Sequence, residues 1–232
     1  MSKSKAVVPF SGGMDSTTIL YHVKQMYDEV YTLSFFYGQK HKKELTIAQL
    51  TAQKAKVKDH KLIDISFFKD IASTSSLTNN NIDVAKAKDV MGDPQTVNYV
   101  PFRNMMLLSI ACAYAEAVGA STVYHGAAQA DSVAGYWDGS SEFLNEINKV
   151  TALNRRNRIA IKAPLLTMSK GEIIKYGLSM GVNYADTWTC YEGGEQACGE
   201  CTACALRIKG FIDAKVKDPV CYSKHIPWEK YI

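Results

Sequence analysis

Residues 6–18 read AVVPFSGGMDSTT: an apolar run breaks at Ser11-Gly12-Gly13 and a helical pattern follows, with Ile19, Leu20, Val23, Met26 and Tyr27 on one face. This pattern predicts a strand, a glycine turn and a helix. Tight turns favour glycine because they often demand a positive φ, and a missing Cβ lets a ligand approach the backbone. The helix then opens with unpaired N–H groups and a partial positive charge, so a phosphate is its natural guest. Ser11, Asp15, Ser16 and Thr17 add polar side chains around the same turn. The GK[ST] ending of a Walker loop is missing, which excludes a P-loop kinase or GTPase. The competing explanation is a purely structural Gly-Gly turn.

Further strands are expected at 30–37 (VYTLSFFY), 60–66 (HKLIDIS), 121–127 (STVYHGA) and 158–163 (RIAIKA). Between them lie helical patterns, one carried by Leu45, Ala48, Ala52 and Ala55, another by Phe143, Leu144, Ile147 and Val150. Strands alternating with helices predict an α/β fold with a doubly wound parallel sheet. Ligands of such sheets sit beyond the carboxyl ends of the strands, where the Ser-Gly-Gly turn falls. Residues 74–98 are polar, with Asn79-Asn80-Asn81 and Asp93-Pro94, and read as a long loop with a short helix near 83–90, a flap over the site. Met105 to Val118 is apolar nearly all round and is expected to be buried, with Cys112 as plain core. Arg103 and Asn104 begin that helix, and a charge there needs a partner: a phosphate, a ribose or a structural carboxylate. The stretch from Ala127 to Phe143 holds Asp131, Tyr136, Trp137 and Asp138, and belongs on the same rim as the glycine turn. Ser169-Lys170-Gly171-Glu172 is a capping box.

The 232 residues suffice for one large domain, and 47% hydrophobic with 22% charged residues is ordinary for a globular chain. A net charge of +4 suits an anionic ligand and is too weak to argue nucleic-acid binding. No apolar run approaches a membrane span and the N-terminus lacks a signal-peptide pattern, so a cytoplasmic protein is expected.

Cys190, Cys198, Cys201 and Cys204 fall within fifteen positions, spaced C-x7-C-x2-C-x2-C. Without a secretion signal this favours metal over disulfides. Four thiolates closing a tetrahedron predict one structural zinc per chain. An iron–sulfur cluster stays open, since it also takes four cysteines, as does a redox Cys-x-x-Cys pair, which would leave two cysteines unexplained. Cys221 stands apart. No histidine sits at ligand spacing; His41, beside Lys40 and Glu44, is the one to watch. The expected organisation is a nucleotide-binding α/β domain over 1–185 with a zinc-binding segment, 186–232, packed on it.

The Ser-Gly-Gly-x-Asp-Ser turn resembles the PP-loop of ATP pyrophosphatases. With FSGGMDSTT, YGQKHKKE, VPFRN, and TCY with CGECTAC in this order, the chain resembles the 7-cyano-7-deazaguanine synthase family along almost its whole length. The resemblance implies a Rossmann-like adenine nucleotide α-hydrolase fold and a homodimer without direct nucleic-acid contact. It implies an ATP-dependent ligase that takes 7-carboxy-7-deazaguanine and ammonia through an adenylate and an amide to the nitrile, releasing AMP and pyrophosphate. It maps ATP onto Phe10-Ser11-Gly12-Gly13-Met14-Asp15-Ser16-Thr17-Thr18-Ile19-Leu20 and zinc onto Cys190, Cys198, Cys201 and Cys204. Ser11, Asp15, Ser16 and Arg103 are the candidate catalytic residues, with Asp15 a candidate Mg²⁺ ligand. Asp131, Tyr136, Trp137 and Asp138 are the candidate substrate residues. Where the family commonly carries Tyr-Pro-Asp-Cys-Arg, this chain has Tyr136-Trp137-Asp138-Gly139-Ser140. A lost arginine removes a carboxylate partner and a gained tryptophan adds a stacking surface. The amide as final product or another carboxylate therefore remains open, and a tRNA thiolase of the same superfamily and a zinc-stabilised, non-catalytic nucleotide sensor stand as separate alternatives.

Overall fold

The computed structural model describes residues 3–40, 43–90, 93, 96–129, 131 and 136–232. Five strands run parallel: β1 Lys5–Pro9, β2 Glu29–Phe36, β3 Asp59–Asp64, β4 Thr122–Tyr124 and β5 Ala160–Lys162. Their spatial order is β3-β2-β1-β4-β5, with Val7 opposite Tyr31 on one side and Val123 on the other. The described helices are α1 Met14–Lys24, α2 Lys43–Lys54, α3 Phe68–Ile71, α4 Ala87–Val90, α5 Arg103–Val118, α6 Ser141–Thr151, α7 Lys170–Ser179 and α8 Thr202–Ala214.

The alternation of a strand's side chains sorts the core into two layers. Ala6, Val8 and Phe10 pack with Ile19, Leu20, Ala48 and Ile173 of α1, α2 and α7. Val7, Leu33 and Val123 pack on the opposite face with Leu108, Ala111 and Ala115 of α5. From β1 the chain winds outward through β2 and β3, then returns to place β4 on the other side of β1. This reversal opens a crevice at the carboxyl ends of β1 and β4. The turn after β1 and the segment after β4 therefore meet there.

Three expectations need correction. Met26 is 48% exposed, because α1 ends at Lys24 and the turn carries Met26 away from the core. Helix α5 is not buried all round: Leu108, Ala111 and Ala115 face the sheet, while Met105 is 44% exposed. Its outer face joins Trp137, Phe143 and Val150 in an apolar groove of about 450 Å³, and Cys112 lines that groove. The 74–98 segment is a packed wall rather than a loose flap over its first residues. Ser75, Ser76, Leu77 and Thr78 are buried, and the Leu77 carbonyl accepts from Lys40 N at 3.1 Å. Helix α4 provides the short helix expected there, tied through Ala87 N to the Glu200 carbonyl.

Candidate active site and metal centre

The glycine turn is shaped by two separate demands. Gly12 has φ +76°, and a Cβ there would stand 2.8 Å from Ala48 N and 2.9 Å from the Glu44 carbonyl, both on α2. Gly13 caps α1 without any side-chain acceptor, so the first N–H groups of the helix are left for a guest. Ser11 Oγ meets Ser16 Oγ at 3.1 Å and accepts from Gly13 N at 3.3 Å, which holds the turn in shape. Beyond the turn lies a cavity of about 320 Å³.

Of the ATP segment expected from sequence, Phe10, Ser11, Gly13, Met14, Asp15 and Ser16 line this cavity. Gly12 backs onto α2 instead. Thr17, Thr18, Ile19 and Leu20 are buried behind the turn, with Thr18 Oγ1 2.8 Å from Tyr184 OH. Asp15 Oδ2 accepts from Lys170 Nζ at 2.7 Å. Asp15 Oδ1 and Thr17 Oγ1 are buried without a hydrogen-bond partner among the described residues. Lys170 is almost wholly covered. Burial works against its charge, but Asp15 and Asp131 more than offset this and raise its pKa above the ordinary lysine value.

Arg103 enters from α5. Phe102, the residue before it, has φ 54°, a conformation that a bulky residue rarely adopts. This kink sends the Phe102 ring outward against Trp137 while Arg103 lines the cavity. Arg103 Nη1 donates to Tyr37 OH at 3.4 Å. Desolvation opposes its charge; Tyr37, Tyr191 and Asp138 outweigh that and hold the guanidinium ionised. A polar side slot of about 80 Å³ opens beside it, walled by Asn98, Tyr99, Tyr136, Asp138 and, shared with the main cavity, Asn104, Asp131 and Tyr191. Burial raises the Asp138 carboxyl pKa, opposed by Arg103 and His125. His125 ends the β4 segment with its Nε2 3.3 Å from the Asp138 carbonyl, and burial lowers its pKa.

The structure thus brings together Ser11, Asp15, Ser16, Arg103, Asp131, Tyr136 and Asp138. Trp137 is placed elsewhere: it lines the outer groove, packs on Phe102 and Phe143, and donates Nε1–H to Tyr99 OH at 2.7 Å. The stacking surface expected from it is turned away from the cavity. Of the two residues that follow Asp138, Gly139 presses on Asp131 and Ser140 caps α6. His41 lies outside the described residues. Sequence reasoning passed over Lys170, His125, Tyr37 and Tyr191. A faint signal existed for Lys170, a cation at the start of a helix against the dipole. Tyr191 directly follows a cysteine of the cluster.

That cluster is compact. The Sγ atoms of Cys190, Cys198, Cys201 and Cys204 lie within 4.8 Å of one another, and Cys198 and Cys204 are 3.9 Å apart. A tetrahedron of Zn–S bonds of about 2.3 Å requires S···S near ~3.8 Å. Main-chain amides point at the sulfurs: Cys198 N at Cys190, Glu200 N and Cys201 N at Cys198, and Cys204 N at Cys201, at 3.3–3.5 Å. These donors suit thiolates, and four thiolates this close need a cation between them. The set fits zinc. Cys221 is exposed and outside it. The cluster is joined to the glycine turn through Trp188 N, which donates to the Gly12 carbonyl at 3.0 Å.

Known proteins resemble this chain over nearly its whole length. A 7-cyano-7-deazaguanine synthase of Caldicellulosiruptor saccharolyticus is 42% identical over 97% of this chain and 99% of its own length. One from Oceanobacillus iheyensis is 41% identical over 96% of this chain and 100% of its own. Among solved structures, an NH3-dependent NAD synthetase from Campylobacter jejuni shares the fold, with a TM-score of 0.51 at 15% identity over 80% of this chain and 68% of its own. The family described as queuosine biosynthesis protein QueC matches residues 5–215, and to that family this chain belongs.

Proposed function

We infer that the chain is an ATP-dependent carbon–nitrogen ligase that converts 7-carboxy-7-deazaguanine and ammonia to 7-cyano-7-deazaguanine, with AMP and pyrophosphate as by-products. The observation that carries this reading is the joining of an uncapped helix N-terminus, behind the Ser-Gly-Gly turn, to a cationic and carboxylate-lined slot in one crevice. The relatives that bear the synthase name match nearly end to end, which disfavours a thiolase or a sensor.

A carboxylate is a poor electrophile until its oxygen is bonded to AMP. In this reading Arg103 draws the substrate carboxylate to the junction of slot and cavity, and Asp131 and Asp138 accept the N–H groups of the base beside Tyr136. The carboxylate oxygen attacks the α-phosphorus, and pyrophosphate leaves against Ser11, Gly13 and Ser16, whose donors face the charge that develops. Ammonia then displaces AMP to give the amide, and a second ATP activates the amide oxygen for loss as AMP. The walls of the cavity keep water from the adenylate. Asp15 would hold Mg²⁺ through the oxygen that has no partner, a donor suited to a hard cation, and the ion would neutralise phosphate charge. Zinc held by the four cysteines would cross-link the segment 186–232 within itself, and main-chain hydrogen bonds from Trp188 N to the Gly12 carbonyl and from Ala87 N to the Glu200 carbonyl tie that segment to the nucleotide-binding body 1–185.

A homodimer built on the apolar face of α5 and α6 belongs to the same reading, since Met105, Trp137 and Val150 are exposed there. So does a cytoplasmic setting, where thiols stay reduced. Among the described residues no helix is long and apolar enough to cross a membrane. Incubation with ATP, ammonium and 7-carboxy-7-deazaguanine, followed by mass analysis, tests the function. Nitrile is the expected end product with amide as a transient; untouched acid would overturn the reading, and amide as the only product would truncate it.

A further inference from the structure

Tyr191 has no task in the mechanism, yet it joins two parts of the molecule. Together with Arg103, Asn104 and Asp131 it walls both the main cavity and the side slot. It also packs against the cysteine cluster and against the core that holds Tyr37, Leu77 and Val100. The peptide unit between Cys190 and Tyr191 is held at both edges. Its carbonyl accepts from Trp188 Nε1 at 3.0 Å, and its N–H points at Cys201 Sγ. A planar peptide fixed twice has little freedom to turn, so the cluster sets the direction in which the Tyr191 side chain leaves the main chain. The ring lies within electrostatic reach of Arg103, Tyr136 and Tyr37, and its phenol oxygen makes no hydrogen bond among the described residues. The Arg103 guanidinium makes a single one there, the 3.4 Å contact to Tyr37. An unspent phenol and a nearly unspent guanidinium thus share one junction, where the ligase reading seats the substrate carboxyl.

The reaction makes unequal demands on the two carboxyl oxygens. One attacks the α-phosphorus and later departs with AMP; the other stays on carbon. When ammonia adds, its lone pair forms the carbon–nitrogen bond and the π electrons of the carbonyl move onto the retained oxygen, which then carries the negative charge. The carbonyl re-forms as the bond from carbon to the AMP oxygen breaks. AMP takes that electron pair, and the surplus proton on nitrogen passes to water. We propose that Tyr191 is a catalytic residue whose phenol O–H donates to the retained oxygen, and that the cysteine cluster holds it in that position. The assignment rests on the ligase reading. A fixed donor gains most where charge develops. The same donor serves before and after, because the retained oxygen begins on a carboxylate and ends on an amide. An uncharged O–H suits both, whereas the charge of Arg103 favours the first.

The test uses the zinc-loaded protein and follows two steps apart. ATP–pyrophosphate exchange with 7-carboxy-7-deazaguanine, without ammonium, reports adenylation; mass analysis after ammonium is added reports amide formation. Tyr191→Phe keeps the ring and removes the donor. Its ratio of amide formation to exchange is expected to fall about 10²–10³-fold, as for loss of one oxyanion donor. Calorimetric binding of the isolated amide should weaken about fivefold, the loss of one neutral hydrogen bond. Trp188→Phe frees the Cys190 carbonyl and should lower the same ratio by a smaller factor, with zinc still stoichiometric. A folded Tyr191→Phe protein whose ratio stays within about tenfold of wild type, or whose amide binding is unaltered, overturns the catalytic role. A wild-type ratio in Trp188→Phe overturns the positioning by the cluster. Absence of both exchange and amide with the wild-type enzyme would instead overturn the ligase reading.

Discussion

The start of α1 and the start of α8 use one device in two ways. Both present main-chain N–H groups at a helix N-terminus. At α8 the cap is Cys201, whose sulfur accepts from Cys204 N, so the helix is closed by a residue of its own metal set. At α1 the cap is Gly13, which offers no side chain, and the donors stay open. With zinc held by its four cysteines, as proposed, the α8 end would be finished once folded. In the proposed ligase cycle the α1 end would take up and release a phosphate in each round, so it cannot satisfy itself. A closed terminus contributes stability; an open one forgoes it to keep a binding site.

The largest expected effect falls on the closed end. Cys204→Ala removes one of four sulfurs, and structural zinc contributes on the order of 10 kcal/mol. Zinc content should drop from stoichiometric to trace, and thermal unfolding should shift far downward or become non-cooperative. Stoichiometric zinc with an unchanged melting point would break the comparison at its root.

Next in size is the connection between the two ends. Arg207, 2% exposed, donates to both oxygens of Asp218 at 2.6 and 2.9 Å, to Thr187 Oγ1 at 2.7 Å and to the Tyr184 carbonyl at 3.0 Å. It thereby fixes the stretch whose Trp188 N holds the Gly12 carbonyl. Arg207→Met leaves a buried carboxylate uncompensated, costing about 3–5 kcal/mol. Urea unfolding of the zinc-loaded protein should show this, and KM for ATP should rise as the turn loosens. Adding Asp218→Leu should recover most of the stability. A KM for ATP that ignores both changes would mean the ends are independent.

The open end itself answers to Gly12→Ala. A side chain there meets both a positive φ and α2 backbone at 2.8 Å. Strain of about 1–3 kcal/mol is expected, with at least ~10²-fold loss of kcat/KM from a displaced turn. Gly181→Ala sharpens the result: Gly181 has φ +81° but nothing within 4 Å of a Cβ, so it reports φ alone. Equal activity losses in both variants would show that the close approach of α2 is irrelevant.

Both helix ends were legible in the sequence because their chemistry is local. Glycine turns and C-x2-C spacings write themselves in consecutive residues, and strands alternating with helices announced the parallel sheet. What depends on distant segments was hidden. Lys170 acquires meaning only when α7 lays it on Asp15, 155 positions earlier in the chain. His125 looked like an ordinary polar residue until β4 ended beside Asp138. Trp137 read as a substrate surface from its neighbours in sequence, yet the positive φ of Phe102 supplies an outer partner that claims its ring. The outer face of α5 shows the same limit: composition gives apolarity, but not which neighbour covers it.

The smallest effect separates the two regions by pH. His125 is buried, and desolvation holds its pKa below the unfolded value of 6.5. The unfolded chain therefore binds more protons than the folded one in that window, and stability rises with pH there. The contribution is fully present above 6.5 and is lost as pH falls toward the folded value. His22 and His60 are lowered by burial too and add to the same slope. The cysteine cluster also weakens in acid, since protons compete with metal for sulfur. The two are told apart by following unfolding and zinc release together across pH 5.5–7.5, a range of about one unit either side of an unperturbed histidine. His125→Asn should make the stability slope shallower while the zinc-release curve stays in place. If the variant moved both curves together, the cavity and the metal centre would unfold as one unit, and the division between an open and a closed helix end would be geometric only.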